Sequence, residues 1–131
     1  MQNPRFRTIL CQVLKQYRKS EMAQTPEAKV KRSVTDLLDK YNVYYFKPAT
    51  GGYGRSGVPD IVGCFHGYFI AIECKANGAK PTALQERELK RIYEHGGVTA
   101  VVGDDDDLDL LKKSLDTILF VRSSQFPKRE Q

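Results

Sequence analysis

Two apolar runs constrain this chain most: "DIVGCF", Asp60 to Phe65, and "YFIAIECK", Tyr68 to Lys75, separated only by His66-Gly67. Runs of this length and β-branched content are strand signals, and a two-residue gap with Gly in second place is a hairpin signal. Once two strands are closed by so short a turn, their register has little freedom. A symmetric two- or four-residue loop sets Val62 opposite Ala71 and Asp60 opposite Glu73. Opposed residues share a face with Cβ atoms roughly 4.5–5.5 Å apart, where like charges destabilise the pair. Lys75, two residues beyond Glu73, points to the same side. The hairpin therefore gathers Asp60, Glu73 and Lys75.

Two carboxylates at that separation coexist if one is protonated, if Lys75 compensates, or if a cation lies between them. Carboxylate oxygens are the ligands that Mg²⁺ and Mn²⁺ prefer. A salt-bridged hairpin edge is the plain alternative. Glu27 can join the group, because it lies on the helical stripe continued by Val30 and Val34; a Glu in a first turn is equally explained by the helix dipole.

The remaining chain has room for one domain at 131 residues. Ile9, Leu10, Val13, Leu14 and Tyr17 predict a first helix, an extension over residues 1–24. Thr25-Pro26 opens a second helix, with Thr as cap and Pro in the first helical position, carrying Val30, Val34, Leu37, Leu38 and Tyr41. Val43–Lys47 reads as a strand. Thr82–Glu94 is helical, with Thr82 and Gln85 in capping-box spacing and Gly96-Gly97 closing it. "VTAVVG" is a strand, Asp104–Leu115 a helix opened by four aspartates suited to a first turn, and "TILFVR", Thr117 to Arg122, a last strand. The main domain is expected over 25–122, with a tail at 123–131.

Other readings fall away. Gly52, Gly54 and Gly57 spell G-x-G-x-x-G, but a strand follows where a dinucleotide site needs a helix. Val58 and Pro59 stand where a phosphate-binding P-loop needs Lys and Ser or Thr. No nucleotide cofactor is expected. No apolar run approaches the roughly 20 residues that span a bilayer, and the opening residues lack a secretory signal's apolar core, so a soluble, cytoplasmic protein without a membrane partner is expected. Three widely spaced cysteines, Cys11, Cys64 and Cys74, suggest buried thiols rather than disulfides. The net charge is +5 although four of the 16 acidic residues sit in one aspartate tetrad. Arg5, Arg7, Lys15, Arg18, Lys19, Lys29, Lys31 and Arg32 gather early, which suits a polyanion or a solvated face.

"GRSGVPDIVG", "AIECKANGAKPTALQ" and the "GG" before "VTAVV" resemble the PD-(D/E)xK nuclease superfamily, and within it the VRR-NUC family of virus-type replication-repair nucleases. The resemblance covers about Pro26 to Val102. It implies an α/β fold: a restriction-endonuclease-like core with a mixed sheet flanked by helices in αβββαβ order, here with an extra N-terminal helix. It also implies a Mg²⁺- or Mn²⁺-dependent DNA endonuclease, with Asp60, Glu73, the Cys74 backbone carbonyl and Glu27 at the metal. Lys75 would orient water or stabilise charge on the phosphate. Gln85 matches the family's Gln after the ExK strand; it shares a helix face with Leu89 and Ile92, while its capping-box role remains the alternative. The Cys74 side chain should turn to the other face.

The Gly-rich loop then delivers the chain into Pro59-Asp60 and brings backbone N–H groups near a phosphate. Arg55 and Ser56 are phosphate contacts or simply solvent-facing turn residues; Lys29, Lys31, Arg32 and Lys80 are further DNA contacts. Branched DNA such as a Holliday junction, cut by a homodimer, fits the resemblance. A sequence-specific restriction-type nuclease, for which the chain has little spare length, and a DNA-binding protein without chemistry are the alternatives.

Overall fold

The structure is a computed structural model that describes residue 12, residues 24–49 and residues 54–125. Apart from Gln12, which is helical, the expected helix around Ile9 to Tyr17 lies outside them, as do the glycines at 51 and 52. Helix α1 (Pro26–Lys40) starts as expected: Thr25 is extended, and its Oγ1 accepts from the Ala28 N–H at 3.2 Å. Strand β1 (Tyr44–Phe46) follows, then β2 (Ile61–Phe65), β3 (Tyr68–Cys74), helix α2 (Ala83–Glu94), β4 (Val98–Val102) and helix α3 (Asp105–Gln125). The four strands form one sheet in the order β1-β2-β3-β4, antiparallel except for the parallel β3–β4 pair. This mixed sheet flanked by helices is the α/β, restriction-endonuclease-like architecture expected.

The turn sets the sheet. His66 and Gly67 have φ of 50° and 88°, the double left-handed geometry of a two-residue hairpin whose twist suits the flanking strands. It fixes Phe65 against Tyr68, Val62 against Ala71 and Ile61 against Ile72. Alternation then separates two faces. Ile61, Phe65, Ile70, Ile72, Cys74 and Val102 face α1 and α3 and form the main core with Val34, Leu38, Leu111, Leu115 and Ile118. Val62 and Ala71 face the other way, against Leu89 and Ile92 of α2. A parallel β3–β4 pair requires a crossover, and α2 is that crossover. It covers only part of its face: Tyr44, Cys64 and Phe69, paired across three strands, stay exposed.

Two expectations are corrected. Thr117–Arg122 is helical, the continuation of α3, and adds no strand. Its β-branched and aromatic content suggests a strand, but Leu111, Leu115 and Ile118 recur every three to four residues and put one buried stripe on the core. Thr117 Oγ1 donates to the Lys113 carbonyl, as a helical Thr does, and Tyr41 reaches across from α1 to Asp116 at 2.6 Å. Helix α3 runs on through residues 123–125. The second correction is Cys64, a free and exposed thiol, because α2 ends its cover short of it; Cys74 is free and buried. The aspartates behave as first-turn residues. Asp104 Oδ1 accepts from the Asp107 N–H and Asp107 Oδ2 from the Gly103 N–H, both at 2.9 Å. Among the described residues no helix is long and apolar enough to cross a membrane.

Thr117→Pro distinguishes the helix from the expected strand. A proline inside a helix costs about 3 kcal/mol or more, whereas the first residue of a strand accepts one. We expect a fall in thermal midpoint of roughly 10 °C or more; an unchanged melting curve would contradict a continuous α3.

Candidate functional site

The site is built where the hairpin ends. Beyond the last ladder pair, Ile61 with Ile72, the register carries Asp60 level with Glu73. Asp60 is held there by its own side chain: Oδ2 accepts from the Cys74 N–H at 2.9 Å. Glu73 lies on the α2 face and is only 1% exposed. Its Oε1 accepts from Gln85 Nε2 at 2.7 Å and pairs with Lys75 Nζ at 3.2 Å. Its Oε2 is buried and takes no hydrogen bond from the described residues. Burial, reinforced by the charge of Asp60 and opposed by Lys75, raises the Glu73 carboxyl to about 6.

Gln85 resolves its two alternatives by satisfying both. The backbone N–H donates to Thr82 Oγ1 at 3.3 Å, and Oε1 accepts from the Thr82 N–H at 2.8 Å, completing a capping box. That leaves the amide NH₂ free to reach Glu73. The cap that starts α2 therefore aims Gln85 into the site.

Glu27 is placed less directly than expected. Lys31, one turn along α1, pairs with Glu27 Oε1 at 2.9 Å and with Asp60 Oδ1 at 3.3 Å. Its hydrogen bond to Glu27 and the charge of Asp60 raise its pKa against the opposing effect of burial. Lys31, expected on a DNA-facing surface, is thus the bridge between two carboxylates. Among the described residues no three His, Cys, Asp or Glu side chains are grouped as metal ligands. The donors that do fit a hard divalent cation are Asp60 and Glu73, with the unpartnered Oε2 as the strongest indication. The Cys74 thiol belongs to the opposite face, as expected; burial pushes it up to about 12, and the charge of Asp60 adds to that.

Gly57, at the end of the Gly-rich loop, approaches the start of α2. Gly57 has φ of 77°, and a Cβ there would lie 2.5 Å from the Leu84 carbonyl oxygen, so only glycine permits the approach. A hollow of about 400 Å³ lies between loop and helix, with Arg55, Ser56 and Gln85 among its walls. Arg55 Nε pairs with Glu88 Oε2 at 3.2 Å. The other basic residues are elsewhere. Lys29 and Arg32 border a separate hollow with Asp36, and Lys80 is exposed before α2. Glu88 was not anticipated, although its place three residues after Gln85 was a usable signal for the same helix face.

No family model matches the chain. Over 54 residues, 40% of this chain, it is 44% identical to a protein named "Putative nuclease p44" from Acyrthosiphon pisum secondary endosymbiont phage 1. The match spans 58% of that relative's length.

Glu73→Gln tests the strain in the site. A carboxyl whose folded pKa lies near 6, above its ordinary 4.5, contributes stability below the lower value that is lost as pH rises through the upper one. The loss is on the order of 2 kcal/mol for a shift of this size. In chelator at pH 7.5 the variant should melt several degrees above the wild type, and by pH 4.5 the difference should vanish. A variant that melts lower at pH 7.5 would show that the Lys75 ion pair outweighs burial and repulsion.

Proposed function

We propose that this chain is a metal-dependent DNA endonuclease of the PD-(D/E)xK type, closest in character to the VRR-NUC nucleases. The observation that carries the reading is Glu73: a buried carboxylate with one oxygen unpartnered, level with Asp60 and paired with Lys75. A fold gains nothing from such a group unless something is to be held there. The nuclease name of the partial relative supports the same chemistry.

Asp60 and Glu73 would hold Mg²⁺ or Mn²⁺, with the Cys74 carbonyl and Glu27 as further donors. When bound, the cation supplies Lewis-acid polarisation of the scissile phosphate and charge neutralisation. Lys75, fixed by Glu73, presents its ammonium to the attacking water and to the negative charge that grows on the phosphate. Gln85 holds Glu73 Oε1, so that Oε2 keeps its direction. Arg55 and Ser56 face the DNA backbone from the Gly-rich loop, a contact that reads charge and shape rather than sequence. Lys29, Arg32 and Lys80 extend the basic surface along the duplex. Branched DNA is the proposed substrate and a homodimer the proposed assembly, because two symmetric cuts are most simply made by two equivalent sites.

Asp60→Asn and Lys75→Ala should each lower cleavage by about 100-fold or more while changing DNA affinity little, and chelator should abolish cutting. Cleavage assays with labelled DNA in Mg²⁺, Mn²⁺ and EDTA check this; undiminished cutting in EDTA would remove the metal from the reading.

Light scattering, run beside cleavage of four-way junctions, flaps and linear duplex, tests the assembly. We expect a dimer that cuts junctions in preference. A monomer that nicks flaps and spares junctions would leave the chemistry standing and refute the junction-resolving form.

A further inference from the structure

Glu88 is a second buried carboxylate, 6% exposed, set in α2 beside Leu89. Its two oxygens are divided between two guanidiniums. Oε1 takes Arg91 Nη1 at 3.1 Å, a pair within the same helix, and Oε2 takes Arg55 Nε at 3.2 Å from the Gly-rich loop. Arg91 alone would serve a carboxylate that merely needed a counterion on its own helix. An apolar side chain beside Leu89 would avoid the desolvation of a buried charge altogether. The second pair instead ties the loop to the crossover helix at the point where Gly57 touches Leu84.

The pairing also decides what Arg55 can do. With Nε engaged, the two Nη groups, which make no ion pair among the described residues, present their N–H donors in a fixed fork. Arg55 is 59% exposed and borders the hollow that Gln85, the residue that holds Glu73, also lines. A phosphodiester seated in that hollow would meet the fork on one side while its neighbour reached Asp60 and Glu73. We propose that Glu88 is a positioning residue for nucleic-acid binding: it orients Arg55 as the clamp for a backbone phosphate next to the one that is cut. This rests on the nuclease reading and adds to it a residue that touches neither substrate nor metal.

Electrostatics and positioning predict opposite signs here. Glu88→Gln removes a negative charge near bound DNA, so charge alone would tighten binding. Positioning predicts that it loosens. The experiment measures the affinity of labelled duplex and junction DNA by fluorescence anisotropy in EDTA for wild type, Glu88→Gln, Arg55→Ala, Arg55→Lys and the Glu88→Gln/Arg55→Ala pair, with melting curves alongside. Cleavage in Mg²⁺ is followed for the single variants.

Glu88→Gln and Arg55→Ala should each weaken binding by about tenfold, raise KM and leave kcat within about twofold. The double variant should bind no worse than Arg55→Ala alone. Arg55→Lys, which keeps the charge without the fork, should lose nearly as much as Arg55→Ala and stands as the test if Glu88→Gln fails to fold. Tighter or unchanged binding by Glu88→Gln, additive losses in the double variant, or wild-type affinity in Arg55→Lys would each overturn the assignment. A wild type that binds and cuts while Glu88→Gln is indifferent removes only this proposal; one that neither binds nor cuts removes the nuclease reading with it.

Discussion

A buried carboxylate with one oxygen unsatisfied is the most demanding group in this fold, and the structure around Glu73 is arranged to tolerate it. An isolated ionised carboxyl would cost several kcal/mol to bury. Here Oε1 receives a lysine and an amide, while Asp60 across the hairpin is drawn onto the Cys74 N–H and toward Lys31. What is left over is a raised pKa and an oxygen facing inward. Stability has been given up at one position, and the neighbouring helix caps, lysines and strand ends each limit how much.

The crossover helix links these parts. A parallel β3–β4 pair needs a long connection over one face of the sheet, and the residues on that connection are brought to the carboxylates whether or not they do chemistry. Gln85 and Glu88 use the opportunity on successive contacts of the same turn. Gln85 faces the strand end and Glu88 faces the loop. Because Gln85 also closes the capping box, the start of the helix and the orientation of Glu73 depend on one amide.

Much of this was legible in the sequence. The Asp60–Glu73 register followed from a two-residue turn and a period of two, both local properties. The Thr82–Gln85 cap and the Thr25-Pro26 start were equally local, and both hold. Thr117–Arg122 reads as a strand because β-branched and aromatic residues are favoured in strands, whereas its fate is decided by a buried stripe that begins earlier in the helix, at Leu108 and Leu111. Lys31 reads as a DNA contact; its i,i+4 pair with Glu27 is locally legible, but its meeting with Asp60 is not. Its partner Asp60 lies 29 positions away and is reached only once α1 has docked on the sheet. Cys64 stayed exposed for a similar reason, since the reach of α2 across its face is a tertiary fact.

The turn at His66-Gly67 stands at the far end of the hairpin, about 17–20 Å from the carboxylates by strand rise, and touches none of them. Yet, together with the core-facing alternation of Ile61, Ile70, Ile72 and Cys74, it decides that the count along β2 and the count along β3 arrive together at Asp60 and Glu73. An insertion there that slipped the ladder by a step, rather than merely lengthening the loop, would turn Glu73 away from Asp60 to the opposite side of the sheet. Most surface loops absorb insertions at little cost. This one works as a ruler, and a slip of register at it would part the two carboxylates without altering either residue.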